Sequence, residues 1–339
     1  MKKNLILILL AFLFGVTEVF SGNYKVNVKI DDEANGTQAM LMNYDTGEMT
    51  DSAQVTAGSA FFQGNVYMPA VVRLIVDGSR ILSFILEDGE INVDATNGTV
   101  KGGKLNELNE TVEANIQELA AKYQAAQSEE ESEAIYAEYE AYTDKVFNEN
   151  LENPIGYMLF MEKAYEMEPA ALEKFVAENT YFAQFQRVNK LLESNRNKLM
   201  TSEGKMFADF EIEYDGVKHK LSDVVGKGDY VLVDFWASWC GPCIRQTAVL
   251  KDIYKEYKDQ GLKILGVAVW DEPQNTLKAI EQHELPWESW LNGQSVPTDV
   301  YGIAGIPCII LFGPDGTILS RDKQSEELKA DVAKYFKKQ

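Results

Sequence analysis

The stretch DFWASWCGPCIRQ, residues 234–246, decides how the C-terminal part of this chain is interpreted. It places Cys240 and Cys243 two residues apart, directly after an apolar run that begins at Tyr230. The apolar run predicts a buried strand, and the residues from about Cys240 onward predict a helix. The pair therefore lies where a strand passes into a helix. Three interpretations are open: a redox centre, half of a metal site, or a structural disulfide.

The composition is that of a folded, acidic protein with more than one domain. Its 339 residues exceed the size of most single cores, which rarely grow past about 250 to 300 residues. The formal net charge of -21 disfavours nucleic acid as a partner, because phosphates would repel such a surface. All three cysteines lie after residue 239, which indicates local chemistry rather than a disulfide framework.

The N-terminus has the layout of a secretory signal peptide. Lys2 and Lys3 precede an apolar core at residues 5–16, and small or aliphatic residues follow before Gly22. That core is shorter than the roughly 20 residues that a membrane-spanning helix needs. We therefore expect residues 1–21 to be a signal peptide and the protein to act in the periplasm or cell envelope. An uncleaved anchor is the alternative.

Residues 22–104 predict a small β domain. Tyr24, Val26, Val28 and Ile30 alternate with polar residues, which is the period of a half-buried strand. Later apolar runs are separated by Asp-Gly pairs, which favour tight hairpins. We expect an antiparallel β-sandwich of about seven strands.

Residues 105–200 predict a helical spacer, because apolar residues recur three and four apart among Ala, Glu, Leu, Lys and Gln. Ser128 and Glu131 form a capping-box pattern, and Pro154 and Pro169 fall where first helical turns tolerate proline. Several aromatic residues are interpreted as core or inter-helix packing rather than as a ligand groove. These are Tyr136, Tyr139, Phe182 and Phe185.

After a predicted linker at residues 200–204, strand and helix patterns alternate over residues 205–339. Buried apolar runs alternate with amphipathic segments, and the turn at residues 313–316 separates a last antiparallel pair of strands. This pattern predicts an α/β fold in which helices cover both faces of a mixed sheet.

The position of Cys240 suits a reactive thiolate. Unpaired N–H groups at a helix N-terminus lower the pKa of a cysteine from about 8.5, and the thiolate is the attacking species in disulfide exchange. Cys243 lies one helical turn further along and can resolve the mixed disulfide. Asp234 is a carboxylate within an apolar strand, where a raised pKa would let it accept the proton of Cys243. A solvated Asp at a strand end is the alternative.

A second segment, beginning at Ile306, belongs to the same predicted site. Pro307 stands directly before the apolar run 308–312, a position that suits a cis peptide bond. The backbone of Ile306 would then be free to hydrogen-bond an extended partner segment. Cys308 is interpreted as a small buried strand residue, with a third redox thiol as the alternative.

The segment WCGPC after VDFWA, together with IP before a later strand, resembles the thioredoxin family. The longer segment GKGDYVLVDFWASWCGPC and the export signal resemble the exported TlpA-like, AhpC/TSA-related branch. This resemblance covers about residues 205–339. Residues 23–200 resemble, more weakly, the β domain and helical spacer that precede such modules in some Gram-negative bacterial proteins.

The resemblance implies a thioredoxin-like fold and exchange without a cofactor. It implies four catalytic residues: Cys240 as nucleophile, Cys243 as resolving thiol, Asp234 as buried acid/base and Pro307 as cis proline. The expected substrate-binding residues are their neighbours, Trp239, Gly241, Pro242 and Ile306. Exported members commonly have Glu three residues and Pro five residues after the second cysteine, whereas this chain has Gln246 and Ala248. The redox potential and partner choice therefore transfer less directly than the reaction.

Three rival interpretations are weighed against exchange. A zinc site needs two further ligands, and Cys308, His219 and His283 form no ligand spacing with the pair. A peroxidase of the AhpC/TSA type would need Thr and Pro where this chain has Ala237 and Val233. In an envelope binding protein, the β domain would recognise a ligand and the thioredoxin fold would be a passenger.

The sequence thus predicts an exported thiol–disulfide oxidoreductase that acts on disulfides of other proteins. Gly-Pro between the cysteines is shared with thioredoxin, a reductant at about -270 mV, rather than with oxidants near -120 mV. We therefore expect disulfide reduction, with a membrane protein as electron donor in an oxidising envelope. The N-terminal and helical regions are candidates for docking or for a homodimer contact.

Overall fold

The computed structural model describes residues 22–336. The chain forms two compact units, each described by itself below. The first comprises residues 22–167 and 174–188, and the second comprises residues 168–173 and 189–336. The expected signal peptide at residues 1–21 lies outside the described residues.

Two β-sheets form the N-terminal part of the first unit. Their strands are β1 (Gly22–Lys29), β2 (Gln38–Asn43), β3 (Met49–Gln54), β4 (Ser59–Val66), β5 (Ala70–Val76), β6 (Ser79–Leu86), β7 (Gly89–Asp94) and β8 (Thr99–Lys101). The strand orders are β4-β1-β7-β8 and β3-β2-β5-β6. Val26, Leu41 and Leu74 are fully buried in one shared core, because alternate residues of each strand face the space between the sheets. This arrangement is the expected sandwich.

One pairing in the sandwich differs from the antiparallel arrangement that we expected. β1 and β7 run parallel, with Val26 beside Ile91. Parallel neighbours need a long connection, and here the chain passes through β2 to β6 between them. No hairpin turn therefore sets their relative direction, and the sequence has no local signal for it.

The helices that follow are α1 (Lys104–Ala125), α2 (Glu129–Glu149), α3 (Pro154–Ala164), α4 (Pro169–Glu178) and α5 (Gln186–Met200). Only the first half of the predicted capping box forms: the N–H of Glu131 donates to Ser128 Oγ over 3.2 Å. The Glu131 carboxylate accepts instead from the N–H of Gln127, one residue before the N-cap, over 2.8 Å. The two prolines start α3 and α4, as predicted.

The aromatic residues of these helices mainly form packing contacts. Phe182 is fully buried, with its ring centroid 4.4 Å from that of Phe160. Phe185 stacks on Tyr157 at 3.8 Å. The packing interpretation is wrong for Tyr136, which is 53% exposed because it lies on an outer face of α2.

A mixed β-sheet forms the centre of the second unit. The strands of this unit are β9 (Glu211–Tyr214), β10 (Val217–Lys220), β11 (Tyr230–Trp236), β12 (Leu262–Ala268), β13 (Glu288–Trp290), β14 (Cys308–Phe312) and β15 (Ile318–Arg321). Its helices are α6 (Gly241–Tyr257), α7 (Pro273–Gln282), α8 (Val296–Tyr301) and α9 (Ser325–Phe336). The central sheet has the order β13-β12-β11-β14-β15. β11 to β13 are parallel, whereas β14 and β15 pair antiparallel. β9 and β10 form a separate hairpin.

Both faces of this central sheet are covered. Leu232 of β11 packs on one face with Leu250 of α6 and Val332 of α9. Its neighbour Val233 points to the opposite face and packs in a cluster that includes Tyr301 of α8. Burial on both faces explains why β11 is a continuous apolar run and confirms the predicted mixed sheet between helices.

Within the predicted linker, Thr201 is buried, with an exposed fraction of 1%. The guanidinium of Arg321 donates to the Thr201 carbonyl oxygen over 2.9 Å and to its hydroxyl over 2.6 Å. Arg321 is itself only 7% exposed, and a buried guanidinium requires acceptors. The linker at residues 200–204 stays a prediction, and within it Thr201 is anchored to Arg321 of β15.

Candidate active site

The paired cysteines lie at the junction between β11 and α6. β11 ends at Trp236, and α6 begins at Gly241 with Cys240 as its N-cap residue. Cys240 and Cys243 form a disulfide, and their Cα atoms are 5.2 Å apart. The N–H of Cys243 points at Cys240 Sγ over 3.2 Å. An amide in this place stabilises negative charge on the sulfur, so the geometry favours a thiolate once the pair is reduced.

The two cysteines differ slightly in their exposure to solvent. Cys243 is fully buried, whereas Cys240 is 4% exposed. Trp239 is 62% exposed, and Gly241 and Pro242 are also exposed. A partner that reaches Cys240 would therefore meet these three residues at the surface.

The segment before β14 approaches the same sulfur. The Ile306–Pro307 peptide bond is cis, the isomer that the sequence predicted. The Ile306 carbonyl oxygen lies 3.7 Å from Cys240 Sγ. A disulfide sulfur has no proton to donate, so this is a van der Waals contact in the oxidised pair. In the reduced protein, the Cys240 thiol can donate a hydrogen bond to this oxygen.

Asp234 lies in β11 on the face that α6 covers. Side chains alternate along a strand, so Asp234 shares a face with Leu232 and Trp236, which pack with Leu250 and Cys243 respectively. Asp234 is 2% exposed, and its Oδ1 atom has no hydrogen-bond partner within residues 22–336. Burial raises the pKa of Asp234 to about 7. A carboxyl with this pKa can bind and release a proton near neutral pH.

The structure also shows a buried carboxylate that the sequence analysis missed. Asp271 is 5% exposed and accepts hydrogen bonds from the Ser238 N–H at 2.7 Å and from Thr276 Oγ–H at 2.8 Å. Ser238 belongs to the turn that leads into Cys240. The available sequence signal was an acidic residue three positions after the buried strand β12, which lies next to the strand that carries the pair.

Cys308 does not join the other two cysteines. It lies in register with Phe235, so its side chain points to the sheet face opposite that of Asp234. Cys308 is 2% exposed and its Sγ lies 3.1 Å from Asp322 Oδ1. Burial, with the Asp322 charge as the next cause, raises the pKa of this thiol well above its ordinary value. These contacts favour the interpretation as a packed strand residue.

The two departures from the exported branch occupy different surroundings. Gln246 is 4% exposed, its Oε1 accepts from Ser325 Oγ over 3.4 Å, and its Nε2 has no partner in the described part of the chain. Ala248 is exposed. Among residues 22–336, no three His, Cys, Asp or Glu side chains are grouped so that they could hold a metal ion.

Two segments of the chain match known families. Residues 204–321 match the AhpC/TSA family, and residues 24–109 match a domain of unknown function, DUF4369. The thiol-disulfide oxidoreductase ResA of Geobacillus thermodenitrificans is 30% identical over 122 residues, which are 36% of this chain and 69% of the relative. ResA of Bacillus anthracis is 28% identical over 137 residues, which are 40% of this chain and 77% of the relative.

Two solved structures are similar over the C-terminal part. The thioredoxin domain of a thiol-disulfide oxidoreductase from Bacteroides vulgatus is 33% identical, with a TM-score of 0.36, and covers 40% of this chain and 97% of that chain. A thiol:disulfide interchange protein from Bacteroides sp. has the same identity and TM-score and covers 40% and 90%. The matched segments and the ResA relatives show that the chain belongs to the AhpC/TSA family and is a thiol–disulfide oxidoreductase with an N-terminal DUF4369 domain.

Proposed function

We propose that the protein reduces disulfides in exported protein partners, by exchange through Cys240 and Cys243. The observation that supports this most directly is the disulfide at the start of α6, where the N–H of Cys243 faces Cys240 Sγ at 3.2 Å. The oxidised pair is then the end state of one reduction. Cys240 is the nucleophile because it is the more exposed residue of the two and its sulfur lies at the helix N-terminus.

The first step is attack by the Cys240 thiolate on one sulfur of the partner disulfide. A bond forms between Cys240 Sγ and that sulfur, the partner S–S bond breaks, and the other partner sulfur leaves as a thiolate. The surface of Trp239, Gly241 and Pro242 receives the partner. The Ile306 N–H has no acceptor within residues 22–336, so it is available to an extended partner segment.

The second step is resolution by Cys243. Asp234 takes the proton of this buried thiol, and the Cys243 thiolate attacks Cys240 Sγ. The Cys240–Cys243 bond forms, the mixed disulfide breaks, and the second partner sulfur leaves as a thiolate that takes up a proton. Two electrons have then passed from the pair to the partner, and an electron donor must return them. We assign that role to a membrane protein.

The rival activities lack comparable support. The position three residues before Cys240 is Ala237, a fully buried apolar residue, so it supplies no hydroxyl for peroxide. The binding-protein alternative makes the pair a passenger, but Asp234 and the cis Pro307 accompany it at the same site. Both observations favour exchange.

An insulin-reduction assay tests the proposal. The wild-type protein should reduce insulin disulfides with dithiothreitol as electron source, and Cys240→Ser should abolish this. Cys308→Ser is the matched control and should keep wild-type activity. Turnover of hydrogen peroxide in place of insulin would instead indicate a peroxidase, and neither activity would indicate a passenger fold.

The direction of electron flow and the clients need separate measurements. We expect a reduction potential near the roughly -270 mV of thioredoxin, and a value near -120 mV would reverse the direction. Cys243→Ala leaves mixed disulfides unresolved, so it should trap client proteins that mass spectrometry can identify.

Export, domain boundaries and self-association complete the proposal. Residues 1–21 act as the signal peptide for the periplasm or cell envelope, residues 22–104 and 105–200 form the β domain and the helical spacer, and residues 205–339 form the exchange domain. No helix within residues 22–336 is long and apolar enough to cross a bilayer. Cell fractionation with N-terminal sequencing tests export, and light scattering tests whether the N-terminal or helical region forms a homodimer.

A further inference from the structure

Asp271 is a buried charge without a cation beside it. It is 5% exposed, and no Lys, Arg or His forms an ion pair with it in the described part of the chain. Its carboxylate is satisfied by uncharged donors instead. Oδ2 accepts from the Ser238 N–H at 2.7 Å and from Thr276 Oγ–H at 2.8 Å, and Oδ1 accepts from Ser238 Oγ–H at 3.0 Å. A buried carboxylate needs hydrogen bonds to offset its lost hydration, and these three donors supply them.

These bonds hold the turn that carries the nucleophile. Ser238 lies two residues before Cys240, and both its backbone N–H and its hydroxyl are bound to Asp271. The next residue, Trp239, donates its indole N–H to the carbonyl oxygen of Trp270 over 2.9 Å. Two successive residues of the active-site turn are thus attached to two successive residues of the loop after β12.

The loop after β12 is itself held in an unusual conformation. Trp270 in this loop has a φ of +53°, and Gln294 in the loop after β13 has a φ of +47°, a region that residues other than glycine rarely adopt. Gln294 Nε2 donates to the Asp271 carbonyl oxygen at 2.9 Å, and the Trp270 N–H donates to the Gln294 carbonyl oxygen at 3.3 Å. Backbone strain of this kind persists where surrounding contacts impose it, often at functional sites.

We propose that Asp271 is a positioning residue for the exchange reaction. Its carboxylate fixes Ser238, and through it the place of Trp239 and of Cys240 Sγ at the N-terminus of α6. This inference rests on the proposed exchange function. Without the carboxylate, the turn is released and the Cys240 sulfur loses its fixed place before the Cys243 N–H, so its thiolate becomes less stable.

Two substitutions of Asp271 separate position from charge. Asp271→Asn removes the charge but keeps the contacts, because its amide oxygen can accept from the Ser238 N–H and Thr276 Oγ–H. Its NH₂ group can donate to the Ser238 hydroxyl. Asp271→Ala removes all three bonds. A positioning role therefore predicts a large effect for Ala and a small one for Asn.

The experiment measures two quantities on the full-length reduced protein: the rate of insulin reduction, and the pH midpoint of Cys240 alkylation by iodoacetamide. Asp271→Ala should reduce the insulin rate about tenfold or more and move the alkylation midpoint to higher pH. The insulin-reduction rate of Asp271→Asn should stay within about threefold of that of wild type. If Asp271→Ala does not fold, Thr276→Val and Ser238→Ala each remove one bond and should move the midpoint in the same direction.

Asp209 provides the matched control. It accepts from the Ser222 N–H at 2.8 Å and from Ser222 Oγ–H at 2.7 Å, the same Asp–Ser pairing away from the turn. Asp209→Ala should change neither quantity. The inference is overturned if Asp271→Ala matches wild type, if Asn is as impaired as Ala, if Asp209→Ala has an equal effect, or if both single-bond variants leave the midpoint unchanged. The alkylation midpoint is independent of insulin, so it still tests Asp271 if wild type proves unable to reduce insulin.

Discussion

Asp234 links the stability of the second unit to its chemistry. It lies in the middle of the buried strand β11, and burial raises its pKa to about 7 from an ordinary value of 3.8. The folded protein therefore binds this proton more tightly than the unfolded chain does. That contribution to stability is fully present below pH 4 and is lost as the pH rises through 7.

Replacing Asp234 with Asn should remove this pH dependence. At pH 8 wild type must keep a buried charge, whereas the amide is neutral at every pH. The free energy of unfolding of wild type, relative to Asp234→Asn, should therefore fall by about 4 kcal/mol between pH 4 and pH 8. Urea unfolding of the oxidised proteins at both pH values measures this difference. A constant difference would mean that Asp234 is solvated.

The same substitution should slow resolution of the mixed disulfide. In the proposed mechanism only ionised Asp234 can accept the proton of Cys243, so the wild-type rate of resolution should rise through about pH 7 and then level off. Asp234→Asn should lower this rate about a hundredfold at pH 8. Rapid quenching and mass spectrometry of the mixed disulfide give the rate. Alkylation of Cys240 serves as the control, since the first step needs no base. Equal resolution rates in both proteins would exclude Asp234 as the base.

The site residues that could be found from the sequence stand out from the local residue pattern, whereas the one that was missed does not. Asp234 is conspicuous because it interrupts an apolar run, and Pro307 because it precedes one. Asp271 follows a strand, where acidic residues are common, and its donor Ser238 is unremarkable. The contact depends on how two loops meet in space, which no local spacing encodes.

At the scale of elements, continuous apolar runs predicted strands well. β11 spans Tyr230–Trp236 and β14 spans Cys308–Phe312, the bounds expected from the sequence. β3 was missed because its residues are mostly exposed and polar, so no alternation is visible. β13 has three residues, which is too short for any period. Such strands form because they pair with a neighbouring strand, β3 with β2 and β13 with β12.

The loop after β13 packs closely against the end of β12 at Gly293, which leads to a prediction about stability. Gly293 donates its N–H to the Ala268 carbonyl oxygen at the end of β12, and a Cβ there would lie 2.6 Å from that oxygen. Gly293→Ala should therefore destabilise the protein by about 1–3 kcal/mol. In the same unit, a Cβ at Gly305 would have no atom within 4 Å. Gly305→Ala should change stability by less than about 0.5 kcal/mol. Equal unfolding midpoints in urea for the two variants would contradict this close approach.

At the scale of the whole molecule, length and residue pattern predicted a chain with several domains. They did not predict which helical residues belong to which compact unit. The β-rich, helical and mixed segments follow each other as expected. The assignment to compact units nevertheless alternates along the helical segment: residues 168–173 group with the second unit and residues 174–188 with the first. A helical pattern specifies which face of a helix is apolar, but not which of two cores that face joins.

The acidic charge of the whole chain should select among disulfide partners. The formal net charge is -21, so a basic partner is attracted over a long range and an acidic one is repelled. Two peptides with the same disulfide loop, one flanked by Lys and one by Glu, test this. At about 10 mM salt the Lys peptide should be reduced at least tenfold faster, and the ratio should approach one at about 1 M, where the Debye length is about 3 Å. Exposed Arg245 lies near Gly241 on α6 and opposes this preference locally, so Arg245→Gln should enlarge the ratio at low salt. A ratio that does not change with salt would show that contacts at Cys240, not the field of the chain, determine the choice of partner.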